Sequence, residues 1–140
     1  MVITRRFVWT SLLIAAITAS SLGCATSASS KSIAPGDLAS LAGRWAGSVF
    51  LPSGHNVNGT FELTPNGEYT AQAGGFMARG KAEVRDGALV LTSTSTTGGL
   101  STGQRTSTAS LYETPEGTQI LRGNGHSDAG PFSFDVSRKK

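Results

Sequence analysis

Residues 56–64 read NVNGTFELT, and their side chains alternate in character from one position to the next. Val57, Gly59, Phe61 and Leu63 are small or apolar, whereas the residues between them are polar. Successive side chains of a β-strand point to opposite faces of the sheet, so a period of two predicts a strand. We expect the face that carries Phe61 to be buried and the opposite face to meet solvent.

The same alternation marks two more strands. Residues 76–84 carry small or apolar side chains at every even position, and residues 132–136 do the same. Glu62, Glu83 and Asp135 fall between such positions, so we expect these carboxylates to face outward rather than to form a catalytic pair. Less regular patterns predict five additional strands, which cover residues 45–51, 69–73, 89–95, 106–113 and 119–123.

Short turns separate the predicted strands. The pair Asp86-Gly87 is typical of a two-residue hairpin turn, in which both central residues need a positive φ. Pro-x-Gly segments at 65–67 and 115–117 predict turns between other neighbouring strands. About eight antiparallel strands joined in this way predict an all-β, up-and-down barrel, because closure removes the exposed edges of the sheet. A β-sandwich is the alternative architecture.

The first 23 residues have the organisation of an export signal. Arg5 and Arg6 give a positive start, residues 7–17 are mostly apolar, and small residues follow. The apolar stretch is well short of the ~20 residues that a membrane-spanning helix needs. We therefore expect residues 1–23 to be a cleaved signal peptide.

Gly23-Cys24 ends this segment and resembles the lipobox of bacterial lipoproteins. The resemblance implies that Cys24 becomes the lipidated first residue of the mature chain and anchors it to a membrane. It also implies a place in the bacterial cell envelope, on the periplasmic face of the outer membrane in a Gram-negative cell. Ser21 stands where that family usually has Leu, so the alternative is ordinary cleavage that leaves a soluble periplasmic or secreted protein.

Charge and cysteine content narrow the functional classes. The 140 residues include 12 Lys and Arg, nine Asp and Glu and one Cys, for a net charge of +3. Loss of residues 1–23 removes Arg5 and Arg6 and lowers this charge to +1. No basic stripe with interleaved aromatic residues then remains, so we expect no nucleic-acid partner. The length allows a single domain, and one Cys leaves that domain without a disulfide.

Residues 24–36 are rich in Ser, Ala and Thr, a composition that cannot bury apolar surface. We expect them to form a flexible tether between the lipid and the folded domain. Residues 37–42 read DLASLA and predict one helical turn with Asp37 as its N-cap. This turn would close one end of the barrel domain, which we place at residues 37–140.

The first strand opens with LAGRWAG at residues 41–47, which contains a Gly-x-Trp motif at Gly43 and Trp45. Arg138 follows the last predicted strand. This arrangement resembles the calycin superfamily, which includes lipocalins, fatty-acid-binding proteins, avidins and bacterial calycin-like inhibitors. The resemblance covers residues 41–138 and implies a lipocalin-like barrel in which Trp45 packs at the closed end and Arg138 lies across it. That cation–π contact would be worth about 1 kcal/mol, and both roles are structural.

Candidate catalytic groups are few. Residues 99–103 read GLSTG and match the Gly-x-Ser-x-Gly pattern of a hydrolase nucleophile, but that chemistry needs a large parallel sheet. We expect a hairpin loop there instead. His55 and His126 also fall in predicted loops, and His126 with Asp128 supplies too few ligands for zinc. We therefore expect no metal, no cofactor and no enzymatic activity.

The predicted inward face mixes large apolar residues with very small ones. The small residues either let the large ones interdigitate or leave a cavity, and the sequence does not decide between these outcomes. The first functional hypothesis is a non-enzymatic envelope protein that binds a small apolar or amphipathic ligand inside the barrel. The second is a protein-interaction or protease-inhibitor-like module of the envelope. A Ser/Thr-rich loop at residues 96–103 would lie at the barrel mouth, where either partner would meet it. The expected barrel lining includes Phe61, Tyr69, Phe76, Leu91 and Phe134.

Overall fold

The computed structural model describes residues 29–97 and 105–139, which contain one short helix and nine strands. The helix, α1, spans Leu38–Leu41. The strands are β1 (Lys31–Ile33), β2 (Gly43–Phe50), β3 (Asn56–Leu63), β4 (Glu68–Ala73), β5 (Phe76–Arg85), β6 (Ala88–Thr97), β7 (Arg105–Glu113), β8 (Thr118–Ser127) and β9 (Gly130–Lys139).

Strands β2 to β9 form a closed antiparallel barrel. Each strand pairs with the next along the chain, and β9 pairs with β2 to close the ring. The closing pairs run from Ala46 with Ser137 to Phe50 with Ser133. The predicted up-and-down barrel of about eight strands is confirmed, and the sandwich alternative is wrong. Closure gives every barrel strand a neighbour on both sides, which removes long exposed edges.

The hairpin turn between β5 and β6 has the predicted form. Asp86 and Gly87 have φ angles of 51° and 74°, and Arg85 pairs with Ala88 across the turn. Glycine adopts a positive φ at no steric cost, and Asp tolerates it better than most residues. The turn fixes the register of the two strands as far as Gly80 and Ser93, beyond which an irregularity between Arg79 and Gly80 shifts the pairing by one residue.

The helix α1 closes one end of the barrel, as predicted. The Asp37 carboxylate accepts a hydrogen bond from the Ser40 amide at 2.8 Å and caps the helix. Leu41 is 1% exposed and packs into the main apolar core, where each fully buried leucine contributes about 1.5–3 kcal/mol. The core residues buried most completely beside it are Trp45, Leu63, Leu89 and Leu121.

Strand β1 differs from the predicted tether. Lys31–Ile33 pair with β7 from Glu113 to Leu111. Because β6 pairs with β7 only as far as Ala109, the last residues of β7 have a free edge that β1 covers. The prediction of a flexible 24–36 segment is therefore wrong at β1, since backbone hydrogen bonds to a free edge do not require apolar side chains.

Strand β8 also departs from the prediction. It runs past Gly123 and places His126 on a strand rather than in a loop. The register sets Gly123 opposite Phe134 and Gly125 opposite Phe132. The two phenylalanine rings cover these glycines, and this cross-strand packing keeps a glycine-rich segment in the sheet despite its low strand propensity.

Several predicted features lie outside the described residues. They are the signal peptide at residues 1–23, the lipidated Cys24 and the GLSTG segment at residues 99–103. The predicted mouth loop at residues 96–103 is described only as far as Thr97, where β6 ends. Within residues 29–97 and 105–139, no helix is long and apolar enough to cross a membrane.

Candidate functional site

The closed end of the barrel is built around Trp45, which is fully buried. Its indole Nε1 donates a hydrogen bond to the Leu41 carbonyl oxygen at 3.1 Å. The guanidinium carbon of Arg138 lies 4.2 Å from the centre of the Trp45 ring, so the predicted cation–π contact is present. Gly43 has a φ of 125°, which favours glycine, and a side chain there would approach the Arg138 Nη1 atom within 3.3 Å.

Arg138 also joins β9 to α1. Its guanidinium donates hydrogen bonds to the carbonyl oxygens of Ser40, Leu41 and Ala42, at 3.3 Å for Leu41 and 2.5 Å for Ala42. Its Nε donates to the side-chain oxygen of Gln119 at 3.0 Å. Burial lowers the pKa of Arg138, but an arginine stays charged in a protein because its pKa lies so far above neutrality. These contacts occupy the guanidinium, so Arg138 stabilises the fold rather than offering a charge to a ligand.

Above the closed end, the barrel contains a cavity of about 120 Å³. All five residues that the sequence predicted for the barrel lining border this cavity. An engineered cavity of about 150 Å³ binds benzene, so this volume suits one small ring or the end of a chain. Phe61, Tyr69 and Leu91, which are 6–7% exposed, form the deep part, and Phe76 and Phe134 lie half-buried toward the mouth.

The small inward residues take two different roles. Ala71, Ala73 and Ala78 line the cavity and leave its volume open. Gly123 is covered instead, because a β-carbon placed there would lie 2.5 Å from the Phe134 ring. The cavity therefore lies where β4 and β5 carry alanines, while on β8 and β9 the aromatic side chains fill the space above the glycines.

Tyr69, whose side chain carries a hydroxyl group, is part of the lining of this apolar site. The residue is 7% exposed, and its ring lies 5.6 Å from the Phe61 ring. Burial raises the pKa of Tyr69 to about 12, and neither a charge nor a hydrogen bond contributes to that rise. No described residue forms a hydrogen bond with its hydroxyl. This is unusual, because leaving a buried polar group unpaired costs about 1–3 kcal/mol.

Two buried serines and one arginine also line the cavity, and all three have partners. Ser93 Oγ lies 3.3 Å from both the amide nitrogen and the carbonyl oxygen of Arg105. Ser127 donates a hydrogen bond to the Gly130 carbonyl at 3.0 Å. Arg105 forms an ion pair with Asp128, and these side chains are 45% and 51% exposed. The permanent positive charge of the lining therefore lies at the entrance.

Sequence reasoning missed Arg105, because the predicted strand began one residue later than β7 does. Continuing the inward alternation from Ala109 through Ser107 would have placed Arg105 at the site. His55 lies in the loop between β2 and β3, as predicted, and His126 borders the cavity. No group of three or more His, Cys, Asp or Glu that could hold a metal occurs among the described residues.

The predicted outward carboxylates of β5 and β9 form ion pairs on the barrel exterior. Glu83 pairs with Arg85, and Asp135 pairs with Arg122 at 2.9 Å. Exposed pairs of this kind contribute about 0–1 kcal/mol to stability. Neither carboxylate borders the cavity, whose described lining contains no Asp or Glu.

The cavity thus offers apolar contact, one buried hydroxyl that no described residue pairs (Tyr69), and one cation at its entrance. These features suit the binding of a small and mainly apolar molecule, with few polar groups to orient it. No protein-family model matches this chain, and neither does any curated protein or solved structure.

Proposed function

We propose that this protein is a non-enzymatic, lipid-anchored protein of the bacterial cell envelope that binds a small apolar or amphipathic ligand in a calycin-like barrel. The observation that carries the proposal is the cavity of about 120 Å³ between Phe61, Tyr69 and Phe134. Protein interiors are normally packed as densely as organic crystals, so a space of this size is more than packing requires. A concave, mainly apolar space is the usual form of a small-molecule site.

The burial and charge of the lining residues limit the size of the ligand and the position of its polar end. Its enclosed part would lie against Phe61 and Leu91, which are almost fully buried. The volume limits that enclosed part to about the size of benzene. An amphipathic ligand would keep its polar end at the mouth, where solvent and the exposed ion pair of Arg105 with Asp128 lie.

The calycin-like part of the proposal is supported by three positions. Trp45 lies in the first barrel strand and packs at the closed end, Arg138 stacks on it from the last strand, and Gly43 allows that approach. The resemblance implies the closed end for Trp45 and a place across it for Arg138, and the positions of these two residues support it.

Filling the cavity tests the ligand proposal. Ala71 lines the cavity, so Ala71→Leu would occupy part of its volume. Ala46 is exposed on the outer face of β2, and Ala46→Leu makes the same change away from the cavity. We expect toluene and 1-octanol to raise the melting temperature of the wild-type protein and of Ala46→Leu, but not that of Ala71→Leu.

Thermal unfolding at increasing ligand concentration is the measurement. A ligand that binds only the folded state stabilises it by about 2.7 kcal/mol at a concentration of 100 times Kd. The absence of any shift in the wild-type protein would contradict ligand binding of this kind. An equal shift in Ala71→Leu would place the ligand elsewhere.

The membrane anchor depends on Cys24, which lies outside the described residues. Its support is the export-type organisation of residues 1–23 and the small residues around the cysteine. We expect the intact mass of the protein, extracted from a bacterial envelope fraction, to match a chain that begins at Cys24 and carries acyl groups. An unmodified Cys24 would contradict the anchor and leave the ligand proposal standing.

A protein-interaction module is the second candidate, and one observation favours it. Phe50 is 48% exposed on the outer face of β2, and it borders a depression together with Tyr112 and Arg122. Exposed aromatic residues with a nearby arginine are typical of protein contact surfaces. We expect chemical crosslinks to an envelope protein to be lost in Phe50→Ser and kept in Ala71→Leu if this function holds.

A further inference from the structure

Tyr69 lines the cavity wall, is buried, and has a hydroxyl that no described residue pairs with a hydrogen bond. The residue is 7% exposed and borders the cavity. The two buried serines of the lining differ from it, because Ser93 and Ser127 both form hydrogen bonds within the barrel. Since no described residue pairs with it, the Tyr69 hydroxyl is free to donate to a ligand atom as far as the described part of the chain is concerned.

We propose that the enclosed part of the ligand carries an uncharged hydrogen-bond acceptor, a carbonyl oxygen of a ketone, aldehyde or ester, which accepts a hydrogen bond from the Tyr69 hydroxyl. This inference rests on the proposed ligand-binding function and names the class of ligand. The hydroxyl keeps its proton throughout the neutral range, because burial raises the pKa of Tyr69 to about 12. It is therefore a donor under ordinary conditions.

The acceptor must be uncharged because the deep part of the cavity holds no cation among the described residues. Arg138 lies beyond Trp45 and donates its hydrogen bonds to backbone carbonyls and to Gln119. Arg105 lies at the entrance and pairs with Asp128. Residues 98–104 contain no Lys or Arg in their sequence. A carboxylate buried beside Tyr69 would lose its hydration without gaining a counter-charge, which is strongly unfavourable.

A carbonyl also fits better than an alcohol. An alcohol brings a donor of its own, which would need a further acceptor inside the cavity. Ser93 and Ser127, the buried serine hydroxyls of the described lining, already form hydrogen bonds. The half-buried Ser107 is the inward residue next to Arg105 at the entrance. A carbonyl oxygen is satisfied by the single hydrogen bond from Tyr69, and the rest of the ligand can then be apolar.

The test compares three compounds with a five-membered ring: cyclopentanone and methylenecyclopentane, which are nearly equal in size, and cyclopentanecarboxylate, which is slightly larger. The first two differ only in whether oxygen or CH₂ is doubly bonded to the ring, and the third is an anion at pH 7. Dissociation constants are measured by titration calorimetry or NMR with the wild-type protein and Tyr69→Phe. Tyr69→Phe keeps the ring against Phe61 and removes only the unpaired hydroxyl, so the fold is retained.

We expect Tyr69→Phe to weaken cyclopentanone binding on the order of three- to tenfold, the usual worth of one hydrogen bond. Methylenecyclopentane binding should stay equal or improve. If Tyr69→Phe changes both affinities by the same factor, the inference is wrong although the ligand function stands. If the wild-type protein binds the carboxylate more tightly than the ketone, the claim that the acceptor is uncharged is wrong. If neither neutral ring binds the wild-type protein, both the inference and the proposed function fail.

A spectroscopic readout needs no change at Tyr69. Tyr112→Phe removes the other tyrosine of the chain and keeps an aromatic ring under the Arg122 guanidinium, which lies 5.1 Å from the ring centre. In this background, hydrogen bonding from Tyr69 to cyclopentanone should shift the tyrosine absorption band to longer wavelength. Saturating methylenecyclopentane should cause no such shift. Equal spectra with the two ligands would also overturn the inference.

Discussion

At the scale of single residues, Arg138 connects three parts of the closed end. Its guanidinium stacks on Trp45, donates to the last carbonyls of α1 and donates to Gln119. A planar group with five N–H donors can make all these contacts at once, whereas the ammonium of lysine cannot. Arg138 therefore donates hydrogen bonds to carbonyl oxygens at the end of α1, which have no partner within the helix. It also covers Trp45 at the closed end of the core.

We expect Arg138→Ala to lower the free energy of unfolding by about 2–4 kcal/mol, because hydrogen bonds to a charged group and the cation–π contact are lost together. Arg138→Lys should recover only part of this loss. Arg44→Ala, at an exposed position of β2, is the control and should change stability by less than about 0.5 kcal/mol. Urea unfolding measures all three variants, and equal midpoints for Arg138→Ala and Arg44→Ala would show that the contact adds nothing.

At the scale of elements, β8 and β9 are held together by glycine–phenylalanine pairs. Gly123 lies opposite Phe134 and Gly125 opposite Phe132. A β-carbon at Gly123 would lie 2.5 Å from the Phe134 ring and equally close to the backbone oxygen of Thr108. The backbone cannot move aside easily, so these strands depend on glycine for their spacing.

Gly123→Ala should therefore destabilise the protein by about 1–3 kcal/mol, the usual cost of overpacking. Gly75→Ala is a matched control, because open space surrounds that glycine and both substitutions reduce the freedom of the unfolded chain equally. Thermal unfolding compares the two variants. A melting temperature of Gly123→Ala equal to or above that of Gly75→Ala would contradict the packing described for β8 and β9.

Most elements were predictable because local chemistry decides them. The alternation of residues 56–63 is a consequence of a sheet with one buried face, and Asp86-Gly87 meets the φ requirement of its turn. β1 was not predictable, since its pairing depends on a free edge of β7 and not on its own composition. His126 was assigned to a loop because the glycines before it conceal a strand that the opposite phenylalanines stabilise.

The site was predictable in part, for a similar reason. Inward alternation identified Phe61, Tyr69 and Phe134 as lining residues. The volume of the cavity was not predictable, because it depends on distances between strands far apart in the chain. That no described residue pairs with the Tyr69 hydroxyl could not be foreseen either, since the geometry of a hydrogen bond is not contained in a residue pattern.

At the scale of the whole molecule, the barrel interior makes stability depend on pH in the alkaline range. Tyr69 has a pKa of about 12 in the folded protein and an ordinary value of 10.0 when exposed. Between these values the folded state keeps a proton that the unfolded state releases. The contribution of Tyr69 to the free energy of unfolding is therefore fully present below pH 10 and is lost as the pH rises through 12.

We expect this loss to reach about 2–3 kcal/mol, since one pKa unit corresponds to about 1.4 kcal/mol. Urea unfolding at pH 8 to 12 measures it. Tyr69→Phe lacks the titrating group and should lose less stability over the same range. If the free energy of unfolding falls equally with pH in the wild-type protein and in Tyr69→Phe, the hydroxyl of Tyr69 does not remain protonated as described.

The contacts of Arg138 also bear on the order in which the barrel folds. They join residues separated by 96 to 98 positions in the sequence. β9 is the last barrel strand to emerge, whether from a ribosome or from the export channel that the proposed signal peptide implies. Until it does, β2 through β8 have two free edges and an uncovered apolar face. Such an intermediate is prone to association with other chains, and contacts this distant in sequence form slowly. The newly made chain would therefore depend on chaperones until β9 emerges and the ring closes.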